Sequence, residues 1–116
     1  MNMSIIVHIT KKSEWENAKK SGTYTAPSLT KQGFIHCSLP SQVVGVANSN
    51  FRHEQDLVLL TIDPTKLNAI VKVEDLYQEG QCYPHIYGPL NTDAVSGVVP
   101  FVPNSDGYFD LPGLNA

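Results

Sequence analysis

A chain of 116 residues is near the commonest domain size and predicts a single core. Its 41% hydrophobic and 16% charged residues fit an ordered globular protein and exclude a disordered one. The formal net charge is -3 with only 8 Lys and Arg, so no basic stripe exists to neutralise a phosphate backbone, which excludes long nucleic acid as a partner.

The opening MNMSIIVHIT has no basic region, and its apolar run is too short for a signal peptide or a membrane span. A cytoplasmic location and no membrane partner are expected. Cys37 and Cys82 form neither a CxxC pair nor a disulfide framework, which fits reduced thiols.

Ser4 to Thr10 is rich in β-branched residues and predicts the first strand. Ser13 followed by Glu16 reads as a capping box for a helix from about Glu14 to Ser21. Trp15 and Ala18 would face the core, and Gly22 would end the helix in the left-handed conformation. Tyr24 to Leu29 contains Pro27 and reads as irregular, and Gly33 is the turn before a second strand through Ser38.

Ser38 or Ser41 would cap a second helix through Phe51, with Pro40 in its first turn and Val43, Val46, Ala47 and Phe51 at helical spacing. Leu57 to Asp63 is a nearly unbroken apolar run before Pro64, as expected of a central strand covered on both faces. Ile70 to Glu74 would pair beside it, and Gln78 to Tyr83 reads as a polar loop. His85 to Gly88 and Val95 to Val102 complete the strands around a turn at Pro89 to Asp93. The expected organisation is one α+β domain over residues 1–102, followed by a loosely packed C-terminal tail at 103–116.

Strand alternation puts Ile6, His8 and Thr10 on one face and Ile5, Val7 and Ile9 on the other, so His8 is expected to point away from the most apolar face. The same count groups Phe34, His36 and Ser38, and sets His85 and Tyr87 opposite Ile86. If the faces match within one sheet, His8, His36 and His85 converge on a polar cleft. Imidazole suits such a cleft because it donates, accepts or shuttles a proton near neutral pH. The plainer alternative is three structural histidines bonded to backbone or water.

His53 lies in the polar stretch Arg52 to Asp56 and reads as surface. No HxH, HxxxH or CxxC pair supports zinc, and alternation turns Cys37 toward the core, so neither a metal nor a cysteine nucleophile is expected. GxGxxG and GxxxxGK[ST] are absent, which removes Rossmann and P-loop mechanisms. Tyr24 and Tyr87 would either stack on a base or nicotinamide ring or pack half-buried.

Four strings occur in order: His8-Ile9-Thr10, the GFIHCS run from Gly33 to Ser38, Leu57 to Asp63 with Pro64, and the PHIYGP run from Pro84 to Pro89. On these residues the chain resembles the family called domain of unknown function 952, over roughly Ile5 to Phe101. The resemblance implies an ADP-ribosyltransferase-like fold: a small, curved, mostly antiparallel split sheet with two short helices that grips NAD between its halves. It implies that His8 binds a ribose and that His36 contacts the nicotinamide side. The acid usual on a late strand has no unambiguous counterpart, and His85 takes the best-placed position. The RNA 2'-phosphotransferase branch, similar in using His on the second strand, holds phosphate with arginines, and Arg52 is the only arginine here.

The first functional expectation is therefore an enzyme, transferase or glycohydrolase, acting on NAD or an ADP-ribose-type nucleotide, with NAD as the cofactor the resemblance implies. His8, His36 and His85 are its catalytic candidates, and Thr10, Ser28, Ser38, Tyr87 and Arg52 its ligand-binding candidates. A ribosyl transition state would need a carboxylate, for which Glu74 and Glu79 are nearest in sequence. The alternatives are a non-catalytic module that binds a nucleotide or metabolite in the same cleft, and a partner-binding domain marked by an exposed apolar patch on the second helix.

Overall fold

The computed structural model describes residues 5–76 and 78–112; Ser4 of the expected first strand and Gly113 of the expected tail lie outside them. In chain order the elements are β1 (Ile6–Lys11), α1 (Lys12–Ser21), β2 (Thr23–Tyr24), α2 (Pro27–Gln32), β3 (Ile35–His36), α3 (Val43–Asn50) and β4 (Leu57–Ile62). A 3-10 turn (Pro64–Lys66) leads to β5 (Ile70–Glu74), β6 (Tyr83–Tyr87) and β7 (Leu90–Asn91). A second 3-10 turn (Thr92–Ala94) leads to β8 (Val95–Phe101).

The architecture is α+β with three antiparallel sheets, ordered β1-β4-β8, β3-β6-β5 and β2-β7. Reciprocal backbone bonds of 2.8 Å between Val7 and Ser38 join the first two sheets. Every residue of β4 is buried, as the apolar run requires of a strand with a neighbour on each edge and cover on each face. On one face Ile6, Leu60 and Ile62 pack with Trp15, Ala18, Ile35 and Ile86. On the other, Val7, Leu57 and Leu59 pack with Val43, Ala47, Phe101 and Phe109.

Both faces of β1 are thus covered, and His8 shares the face of Ile6, opposite Leu60. The expectation that His8 avoids the most apolar face does not hold, because each face of this sheet has its own apolar cluster.

Local signals were overridden elsewhere. β1 runs into α1 without a loop, so Lys11 caps the helix with its backbone and Ser13 falls inside the first turn; no capping box forms. Tyr24 to Leu29, expected to be irregular, gives β2 and the start of α2, with Pro27 in its first turn and Gly33 (φ 87) ending it. There are therefore three helices among the described residues where two were expected.

α3 starts at Val43, beyond Pro40, and neither serine caps it: the Ser38 backbone is spent on Val7, and Gln42 Oε1 accepts from the Leu39 N–H instead. β5 pairs with β6 and not with β4, because β1 and β8 already occupy both edges of β4. The turn at Pro89 to Asp93 contains β7.

The segment after β8 is not loose. Phe109 is 2% exposed and packs on Phe101 at 4.7 Å, and Asn48 accepts from its N–H at 2.7 Å. Gly107, at φ +85, lies under the His53 ring, where an added Cβ would fall 2.2 Å from Cε1. The His53 side chain is exposed and can swing aside, so the backbone sets the cost. Gly107→Ala should lower the unfolding free energy by about 1–2 kcal/mol in a urea titration.

Candidate functional site

A cavity of about 530 Å³ opens where β1, β3 and β6 come together, and His8, His36 and His85 all line it. Of the other residues singled out in the sequence, Thr10, Ser28 and Ser38 also line it. Tyr87 and Arg52 do not. The Arg52 guanidinium sits over the Tyr108 ring at 3.8 Å and donates to the Asp106 carbonyl, so it is spent on holding the segment after β8. His53 is a surface residue packed against Gly107 and stands outside the cavity wall.

His8 is 7% exposed, and both of its ring nitrogens are used within the protein. Nδ1 lies 2.5 Å from the His36 carbonyl oxygen, and Nε2 lies 2.8 Å from the Tyr24 hydroxyl. That hydroxyl is also 3.0 Å from Thr10 Oγ1, which is 3.3 Å from Glu14 Oε1. The ribose-binding role implied for His8 therefore lacks a free ring nitrogen. Burial pushes its pKa down to about 4, and burial pushes the Tyr24 phenol up to about 12. His8 is neutral at cellular pH and ties β1, β2 and β3 together.

His36 and His85 are directly paired across β3 and β6, with ring centroids 5.5 Å apart and nearly perpendicular. Phe34 stacks on His85 at 4.2 Å and meets the His36 edge at 4.8 Å. His36 is exposed, and its Nε2 lies 2.7 Å from Gln32 Oε1. Partial burial, then the neighbouring His85, lowers its pKa. His85 is 2% exposed, and its Nδ1 lies 2.9 Å from Glu74 Oε2, which also accepts from the Tyr87 hydroxyl. Donation from Tyr87, then from His85, holds the Glu74 carboxyl below its usual value.

Of the two carboxylates considered from sequence, Glu79 lines the cavity and Glu74 stands behind His85. Glu14, Glu54 and Lys11 also line it. Sequence reasoning missed the stacking role of Phe34 and the bonding of Tyr24 to His8. Alternation puts Phe34 on the face of His36, but its stacking on His85 also needs the pairing of β3 with β6, and the second needs a contact sixteen residues away that no local pattern signals. Cys37 faces the core, where burial raises its pKa. Among the described residues, no group of three or more His, Cys, Asp or Glu is arranged to hold a metal ion.

Fold and cavity together define a small α+β protein with a histidine-lined hollow, in which no described helix is long and apolar enough to cross a membrane. The chain belongs to the family described as protein of unknown function (DUF952), whose model matches residues 9–98. It is similar to protein CC0527 from Caulobacter crescentus: the crystal structure is 30% identical, covers 93% of this chain and 95% of that one, and has a TM-score of 0.84. The solution structure of the same protein is 28% identical, covers 91% of each chain and has a TM-score of 0.72. No curated protein matches the chain.

Proposed function

We propose that the chain is a nucleotide-utilising protein of the NAD or ADP-ribose type, and that its cavity takes the nicotinamide–ribose end of the ligand. The observation that carries this reading is a single hollow of about 530 Å³ lined by three imidazoles beside hydroxyls and carboxylates. That volume falls within the range of about 300–1,000 Å³ typical of small-molecule sites.

Charge on the wall selects which end of the ligand enters. Among the described residues of the lining, Glu14, Glu54 and Glu79 stand against one Lys or Arg side chain, Lys11. A diphosphate would meet repulsion there, and a pyridinium riboside attraction. With His8 engaged, ribose hydroxyls fall to Thr10 and Ser38, while His36 stands beside the ring to be released. Cleavage of the nicotinamide–ribose bond develops positive charge on the ribosyl carbon, and of the two carboxylates expected from sequence Glu79 is the one on the wall to face it.

One observation favours a second reading, binding without turnover. Glu79 is exposed, and its backbone N–H, bonded to Asp75 Oδ1, is what anchors it, so no packing presses its carboxylate onto a ligand.

A titration of labelled protein with NAD and with ADP-ribose, with nicotinamide measured, separates the readings. NAD should shift His36, His85 and Ser38 more strongly than ADP-ribose and should release nicotinamide. His36→Ala should abolish the shifts while changing stability by no more than about 1 kcal/mol, as for an exposed side chain. Shifts without release select the second reading, and the absence of shifts at any cavity residue ends both.

A further inference from the structure

Glu74 does not line the cavity, yet two side chains of β6 converge on one of its oxygens. Tyr87 donates its hydroxyl proton to Oε2, and His85 Nδ1 lies 2.9 Å from the same atom. An ionised carboxylate only accepts, so the proton between Glu74 and His85 belongs to Nδ1. A neutral imidazole carries one N–H, which leaves a lone pair on Nε2.

The ring cannot turn to exchange its nitrogens freely. Phe34 stacks on it at 4.2 Å with an interplanar angle of 24°, and the His36 edge stands 5.5 Å away. Among the described residues Nε2 has no hydrogen-bond partner, and no side-chain nitrogen or oxygen sealed from solvent lacks one, so Nε2 is not sealed. His85 lines the cavity, and with Nδ1 held by Glu74 the nitrogen left for a ligand is Nε2.

We propose that Glu74 is a positioning residue, which holds His85 in the Nδ1–H tautomer and thereby makes Nε2 the base that receives a proton in the cavity. The catalytic half of this assignment rests on the proposed reaction at the nicotinamide–ribose bond. There, water forms the new bond to the ribosyl carbon and gives a proton to Nε2. The bond to the ring nitrogen breaks, and its electron pair leaves on neutral nicotinamide. The imidazolium formed then lies against the Glu74 carboxylate, which stabilises it in the way a carboxylate steadies a catalytic histidine.

The tautomer is read directly from long-range proton–nitrogen correlations of ¹⁵N-labelled protein, without ligand, at a pH where the ring is neutral. The wild type should show Nδ1 protonated and Nε2 bare. Glu74→Ala should lose that pattern, and Glu74→Gln, whose carboxamide oxygen still accepts from Nδ1, should keep it. In nicotinamide release, Glu74→Ala should lower kcat by about tenfold or more with little change in KM, and Glu74→Gln should restore most of it. A wild type with Nε2 protonated, or an unchanged tautomer in Glu74→Ala, overturns the assignment even if a variant proves hard to fold. Absence of nicotinamide release in the wild type removes the reaction and the role of Nε2 as its base, and the tautomer experiment then decides separately whether Glu74 orients His85.

Discussion

Acidification from pH 6.5 to about 4 should remove roughly 3 kcal/mol of folding stability through His8 alone. The ring is 7% exposed, and burial disfavours its charged form more than the His36 carbonyl favours it; the neighbouring His36, once charged, adds to the penalty. In the unfolded chain the same ring titrates near 6.5. Between these values the unfolded state takes up a proton that the native state refuses. The contribution is therefore complete above about pH 6.5, declines as pH falls, and levels off below about 4. At about 1.4 kcal/mol per pH unit, the interval sets the size of the effect.

Urea titrations at several pH values on the wild type and His8→Gln test this. The glutamine amide can donate to the His36 carbonyl and accept from Tyr24 but does not titrate, so the variant should show a shallower loss. Ionised carboxylates contribute equally to both proteins, and the difference between the two slopes belongs to His8. Parallel slopes would show that His8 does not titrate out of its ordinary range. The functional corollary is that His8, neutral at working pH, shapes the cavity wall by holding the His36 backbone and Tyr24 in place.

Some of this was legible in the sequence because it depends on the chain alone. The unbroken run at Leu57 to Ile62 became the buried central strand, and alternation placed His36 with Phe34 and His85 with Tyr87, opposite Ile35 and Ile86. What could not be read was pairing between distant segments. Period-two counting shows which face carries a side chain, but not which strand lies beside it. So β5 was expected beside β4, and the in-register facing of His36 and His85 was not foreseen. Nor was it visible that Tyr24 would consume the second nitrogen of His8, or that Glu74 and not a wall residue would hold His85. Arg52 looked available for phosphate only until the segment after β8 folded back over it. In each case a local rule was sound and a long-range contact decided the outcome.

That fold-back carries a large expected stability effect. Phe109 sits in the cluster formed by Val7, Val43, Ala47, Leu59 and Phe101, on the side of the β1-β4-β8 sheet opposite His8. Phe109→Ala removes a fully buried ring and leaves a hole bounded by α3 and β4, at a cost of about 3–5 kcal/mol. Against the roughly 5–15 kcal/mol that holds a small domain together, this approaches a third or more of the total. Chemical denaturation should therefore show a midpoint displaced far below the wild type with an unchanged slope. Asn48→Ala, which deletes the two bonds to the Phe109 backbone, should cost about 1–2 kcal/mol. A loss below about 1 kcal/mol for Phe109→Ala would mean that the segment after β8 is dispensable. The ring has a bearing on the cavity too, because α3 packs against this cluster and contributes Val46 and Asn50 to the cavity wall. Loosening the cluster should blunt ligand response in proportion to unfolding, unlike His36→Ala, which should remove the response from a protein that stays folded.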